Sequence, residues 1–204
     1  MIHIIDYGVG NLVSIRNMIL KSGHSAEIVD SEKFIRDSSK LIFPGMGNFD
    51  NCMQKFEASG LREAVVNKVF NEKIPVLGIC VGLQMMMESS EEGSEKGLGW
   101  LKGKTVRFDR ARMNESLRIP NVGWLDVKKQ KDSALLDGLI EPRFYFAHSF
   151  HVQLDNVNDS LLTADYGYQF TAAIERGNIL GVQFHPEKSH RYGMKLLGNF
   201  SSYY

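Results

Sequence analysis

The chain has 204 residues, with 24 Lys+Arg against 24 Asp+Glu and a formal net charge of zero, so it exerts no global pull on nucleic acid or an anionic membrane. At 43% hydrophobic and 24% charged residues it has the make-up of an ordinary globular protein, and its length fits one domain over 1–204. It opens on Ile2-His3-Ile4-Ile5 with no basic leader and no long apolar run, and it holds only Cys52 and Cys80; the expectation is a reduced, cytoplasmic protein with no signal peptide and no membrane span.

In chain order, residues 2–6 form an apolar run expected to be a buried strand. Residues 11–21 carry apolar side chains at 12, 15, 18 and 19, which is helical spacing, and Gly23 supplies a stop. Strands are expected at 26–29 and 41–43, the latter ended by Pro44-Gly45. Helices follow at 49–58 and 61–71, then a strand at 76–79 and a helix at 81–88. Residues 89–96 are polar and acidic and read as a surface loop; Lys128-Lys129-Gln130-Lys131-Asp132 reads as a solvated turn. The second half is β-rich at 105–108, 143–150 and 179–184, and 192–200 is a short amphipathic helix. Strands alternating with helices imply βαβ units. The expected fold is α/β: a flavodoxin-like, doubly wound, mostly parallel sheet with an antiparallel β extension.

The strongest local signal is Gly78-Ile79-Cys80-Val81-Gly82, which follows an apolar strand and precedes a helix. This is the context of a nucleophile elbow with Cys in place of Ser. Glycines on either side let strand and helix backbones pass closely. A helix start favours thiolate, which in such settings lowers a Cys pKa from ~8.5 to as little as ~3.5–7.5. A buried structural Cys is the alternative, and Cys52, inside a helical stretch, keeps that reading.

A nucleophilic Cys needs a base and a group to orient it. His185 stands in Gly181-Val182-Gln183-Phe184-His185-Pro186-Glu187, and Pro186 biases it toward extended geometry. Side chains two apart then point the same way, which puts Glu187 beside His185. His148, mid-run in Phe144-Tyr145-Phe146-Ala147-His148-Ser149, competes as the base but reads as a pocket-wall or core residue. Two Cys 28 residues apart and scattered His give no zinc spacing, so no metal is expected. Pro44-Gly45-Met46-Gly47-Asn48 follows a strand where a Gly-rich turn can aim backbone N–H groups at an oxyanion, or can be a plain turn. Gly8-Val9-Gly10 lacks the third glycine of a dinucleotide fingerprint, since Val13 stands there, and no cofactor is expected.

Together, Gly-Ile-Cys-Val-Gly-Leu-Gln (78–84), Pro-Gly-Met-Gly (44–47) and Phe-His-Pro-Glu-Lys-Ser (184–189) resemble the triad-type glutamine amidotransferases. Within them, the chain end to end resembles the family of glutaminase subunits of imidazole glycerol phosphate synthase. Asp6-Tyr7-Gly8-Val9-Gly10-Asn11 and Tyr145-Phe146-Ala147-His148-Ser149 add to the likeness, and Leu83 stands where anthranilate-pathway relatives carry His.

The resemblance implies that Cys80 attacks the amide of L-glutamine, His185 shuttles the proton and Glu187 orients His185. It implies an oxyanion hole at Gly45, Met46, Gly47 and Val81. It puts Gln84, Glu92, Ser149 and Phe150 around the substrate, and Trp124, Tyr145 and Lys188 toward a synthase (cyclase) subunit, a (β/α)8 barrel. One segment departs: the family's Pro-His-x-Gly-Trp-Asn is here Pro120-Asn121-Val122-Gly123-Trp124-Leu125. Asn121 and Leu125 would lie at that interface too, which opens a second partner: a sugar-amidating enzyme of surface-glycan synthesis. A stand-alone thiol hydrolase would lack Gln84, and a regulator that has lost catalysis would lack the triad.

Overall fold

The computed structural model describes all residues, 1–204. Its twelve strands are β1 (Ile2–Ile5), β2 (Ala26–Val29), β3 (Lys40–Gly45), β4 (Val76–Cys80), β5 (Ser89–Ser90), β6 (Gly103–Arg107), β7 (Asn121–Lys129), β8 (Arg143–His148), β9 (Phe150–Leu154), β10 (Ser160–Asp165), β11 (Gln169–Arg176) and β12 (Ile179–Val182). The α-helices are α1 (Leu12–Lys21), α2 (Glu32–Arg36), α3 (Phe49–Ala58), α4 (Arg62–Val66), α5 (Val81–Met85) and α6 (His190–Tyr203). None is long and apolar enough to cross a membrane.

Nine strands form one sheet in the order β2-β1-β3-β4-β12-β11-β10-β7-β8. The first five run parallel, the flavodoxin-like order, and the last four add antiparallel neighbours. Every residue of β1, β4 and β12 is buried, as expected of strands covered on both faces. A second sheet, β5-β6-β9, stands beside the extension.

Several details differ from the sequence expectation. The helix expected over 61–71 is α4 followed by a π-helical turn, Asn67–Asn71. The helix expected over 81–88 is only α5, because the chain turns at Met86 toward β5. Lys128 and Lys129 end β7 instead of sitting in a turn. The run 143–150 is not one strand: it breaks at Ser149, with β8 in the large sheet and β9 in the small one. That switch between sheets is what leaves Ser149 and the Phe150 carbonyl facing the ends of the parallel strands.

The loop expected over 89–96 is pinned. Asp50, in the first turn of α3, accepts from the backbone N–H of Ser94 (2.9 Å) and Glu95 (3.0 Å). Glu92 is carried inward and accepts the Phe49 N–H at 2.8 Å. A carboxylate on the first N–H groups of this ten-residue helix satisfies an otherwise free donor and suits the helix dipole.

Candidate active site

Three chain segments converge at the carboxyl ends of adjacent strands: β3 ends in Gly45, β4 in Cys80, and β12 runs out toward His185. Gly45 pairs in register with Cys80. Cys80 adopts φ 53°, ψ −112°, a left-handed conformation that a non-glycine residue takes only when its surroundings impose it. β3 passes very close to this turn. A Cβ on Gly45 would meet the Gly82 nitrogen at 2.3 Å, and one on Gly82 would meet the Phe43 oxygen at 2.0 Å. Two glycines therefore allow the 44–47 segment to lie directly against the elbow.

His185 is 3% exposed. Its Nδ1 lies 2.9 Å from Glu187 Oε1, and the Glu187 side chain is itself 1% exposed. With Nδ1 committed to Glu187, the other ring nitrogen is the one left for the Cys80 sulfur, which lines the same cavity. The segment is clamped from behind: the His185 N–H donates to the Tyr145 carbonyl at 2.9 Å, and Ser189 Oγ donates to the His185 carbonyl at 2.6 Å while accepting the Tyr145 N–H at 3.0 Å. Burial alone would pull the imidazolium pKa down; hydrogen bonds and negative charge from Cys80 and Glu187 outweigh it and raise it to about 10. The arrangement thus favours the protonated imidazole. Glu187 Oε2 is buried and has no partner.

A cavity of about 250 Å³ opens over Cys80, lined among others by Met46, Gly47, Val81, Gln84, Glu92 and His148. Ser149, Phe150, His185 and Lys188 also line it. It is smaller than a drug-sized pocket and suits a ligand of amino-acid size. Glu92 is half-buried, and burial first, with the nearby Asp50 charge, raises its pKa against the pull of its hydrogen bonds to Phe49 and Asn48. Gln84 spends its amide nitrogen on the Phe150 carbonyl and on Gln183 Oε1, both at 3.0 Å, so only its oxygen remains for a ligand. A larger cleft of about 620 Å³ lies between the two sheets around His151, Arg107 and Arg112, but no thiol lines it.

The residues expected at an interface divide. Trp124 stacks on His190 with 5.6 Å between centroids and meets Tyr145 edge-on, and Lys188 Nζ lies 5.8 Å over the Tyr145 ring. Leu125 is half-buried against the core, not free on the surface. Asn121 departs further: it is 1% exposed, and its Nδ2 lies 3.2 Å from His148 Nε2. No sequence pattern signals this bond, the approach of Gln183 Nε2 to within 3.7 Å of the Cys80 sulfur, or the Ser189 clamp.

The profile of class-I glutamine amidotransferases matches residues 3–202, and the chain belongs to that family. Solved structures share the fold at low identity: a glutamine amidotransferase crystal structure with a TM-score of 0.70 and 20% identity covers 96% of this chain and 98% of that one. PurLQS from Thermotoga maritima superposes with a TM-score of 0.70 at 18% identity, covering 97% of this chain and 95% of that one. Among curated proteins, the chain is 46% identical to imidazole glycerol phosphate synthase subunit HisH of Leptospira interrogans, across 99% of this chain and 100% of that one. It is 47% identical to subunit HisH 2 of Methanococcus maripaludis and 45% identical to HisH 2 of Pseudomonas aeruginosa, each over 98% of both chains.

Proposed function

We propose that the chain is the glutaminase subunit of an imidazole glycerol phosphate synthase, acting in histidine biosynthesis in the cytoplasm as one domain over residues 1–204. The observation that carries this reading is the Glu187-held His185 facing the same cavity as Cys80, in a chain 46% identical over its length to a HisH subunit.

Cys80 Sγ, as thiolate, attacks the side-chain carbonyl of L-glutamine. The C=O bond opens to an oxyanion, received by backbone N–H groups of the Gly45-Met46-Gly47 segment and of Val81. His185 gives its proton to the leaving nitrogen, the C–N bond breaks, and ammonia leaves behind a thioester on Cys80. Water, losing its proton to His185, attacks the thioester and releases glutamate and the thiolate. Glu187 holds the imidazole in register through both halves. Glu92 offers its carboxylate to the substrate ammonium; Gln84 offers its oxygen, and Ser149 and Phe150 offer backbone groups.

Ammonia passes to a cyclase partner of (β/α)8 type in a heterodimer. Trp124, Tyr145 and Lys188 form its docking face, where aromatic and long basic side chains make effective anchors. The decisive test is glutamate release by the chain alone and with such a cyclase, together with rescue of a histidine-requiring strain that lacks its own glutaminase subunit. Rescue supports the reading. A folded, glutaminase-active chain that fails to rescue favours the second one: the same chemistry feeding a sugar-amidating enzyme. The Asn121/Leu125 departure from the family pattern is what keeps that second reading open.

A further inference from the structure

We infer that Gln183 is a positioning residue for the Cys80 sulfur, locked in its donating orientation by a buried hydrogen-bond network centred on the Phe150 carbonyl, whose other arm ends at Asn121. The inference rests on the reading of Cys80 as the nucleophile.

The orientation of every group in this network follows from one backbone atom. The Phe150 carbonyl oxygen can only accept. Two side chains reach it: Gln84 Nε2 at 3.0 Å and His148 Nδ1 at 2.8 Å. Both must therefore present an N–H. The amide of Gln84 is fixed with its nitrogen toward Phe150, and its second N–H faces Gln183 Oε1 at 3.0 Å. Gln183 must then turn its own NH2 the other way, toward Cys80 Sγ at 3.7 Å. Flipping Gln183 would set NH2 against NH2 at one end and an oxygen against the sulfur at the other.

The same carbonyl sets the opposite arm. With its proton on Nδ1, a neutral His148 has a lone pair on Nε2, and Asn121 Nδ2, 3.2 Å away, donates to it. Burial, chiefly, pushes the His148 pKa down to about 3, so the ring is neutral around pH 7. All four side chains are out of water: Gln183 0%, Asn121 1%, Gln84 2% and His148 6% exposed. An amide this buried cannot exchange its partner for solvent, so its orientation is held.

Gln183 follows β12 directly and precedes His185 by two residues, so both side chains leave the strand end on the same side. They do different things to the sulfur. His185 gives and takes a proton. Gln183 has none to give, and its N–H favours the charged sulfur over the neutral one. It holds the thiolate in place while the imidazole turns to the substrate. The other titratable groups that feel Cys80 are Tyr7 and Cys52, both buried and both uncharged around pH 7, so neither duplicates this contact.

The test is the rate at which iodoacetamide alkylates Cys80 in the full chain as a function of pH, read by peptide mass spectrometry. Losing one hydrogen bond to a charged group slows Gln183→Met about 10-fold near pH 7. The curves for Gln183→Met and wild type converge at alkaline pH, where the thiolate forms without help. Gln183→Glu keeps the shape but sets an oxygen on the sulfur, and it is slower still. Asn121→Leu shows a smaller loss in the same direction. A wild-type rate profile in folded Gln183→Met overturns the inference; if that variant does not fold, Gln183→Glu decides by the same criterion. A wild-type profile in Asn121→Leu overturns the Asn121 arm of the network. If wild-type Cys80 reacts no faster than Cys52, the nucleophile reading itself fails, an outcome distinct from the others.

Discussion

Gly82 faces the Phe43 carbonyl so closely that a Cβ at position 82 would meet the oxygen at 2.0 Å. Backbone lies on both sides of this contact, so nothing flexible can give way. Gly82→Ala should cost ~1–3 kcal/mol, the usual penalty of overpacking. It should also push the 44–47 segment away from Cys80 and lower kcat more than it raises KM. Urea unfolding and steady-state kinetics check both; unchanged stability and kcat would mean that this contact does not set the spacing.

The two thiols should separate cleanly. Burial, chiefly, pushes the Cys52 pKa up to about 11, and its S–H donates to the Met46 carbonyl. It should stay unreactive at neutral pH, and Cys52→Ala should keep most glutaminase activity. Cys80→Ser should have none. Glutamate release by each variant decides this, and retained turnover in Cys80→Ser would remove the thiol from the chemistry.

His185→Asn should lose ~100- to 10,000-fold in kcat, the common worth of general acid–base catalysis. Glu187→Gln should lose less, since it orients the ring and carries no proton in the reaction. Should His148→Asn prove the more damaging and His185→Asn mild, the two histidines have been assigned the wrong way round.

The same groups give stability a pH signature. The His185 pKa rises from 6.5 to about 10 on folding, so its contribution is fully present below pH 6.5 and is lost as pH climbs to about 10. His148 has the opposite sign. Its pKa falls to about 3, so the unfolded chain takes up a proton that the folded one refuses, and stability drops as pH falls from 6.5 toward 3. Thermal melting across pH should show the alkaline slope flatten in His185→Asn and the acid slope flatten in His148→Phe. Slopes unchanged in both variants would contradict these assignments.

What the sequence disclosed and what it hid divide by distance along the chain. The parallel strands and the elbow depend on neighbours: apolar runs, flanking glycines, and a His-Pro-Glu whose side chains are two apart. They were legible for that reason. Helix α2 was missed because five residues hold barely more than one period of a helix. The Gln183–Cys80 contact joins residues 103 apart, and Asn121–His148 joins residues 27 apart across the paired strands β7 and β8. No local pattern announces either. The resemblance put Asn121 at an interface, yet β7 buries Asn121 and leaves Val122 60% exposed.

The isolated chain should turn over glutamine slowly and be stimulated by its partner. One oxyanion donor out of place costs roughly 100- to 1,000-fold, enough to silence the site until docking sets the 45–47 segment. Full turnover by the chain alone would contradict this coupling. Because Asn121 bonds to His148, restoring the family pattern with Asn121→His and Leu125→Asn should alter the Cys80 site as well as the docking face. Complementation and basal glutaminase activity, measured side by side, separate the two effects.

The central claim is that Cys80 is the nucleophile of a glutaminase. The most direct measurement treats the chain with an electrophilic glutamine analogue and locates the adduct by peptide mass spectrometry. One adduct per chain, on Cys80, blocked by excess L-glutamine and absent from His185→Asn on the same time scale, is the expected result. An adduct on Cys52 alone, or labelling of Cys80 that L-glutamine does not slow, would contradict it.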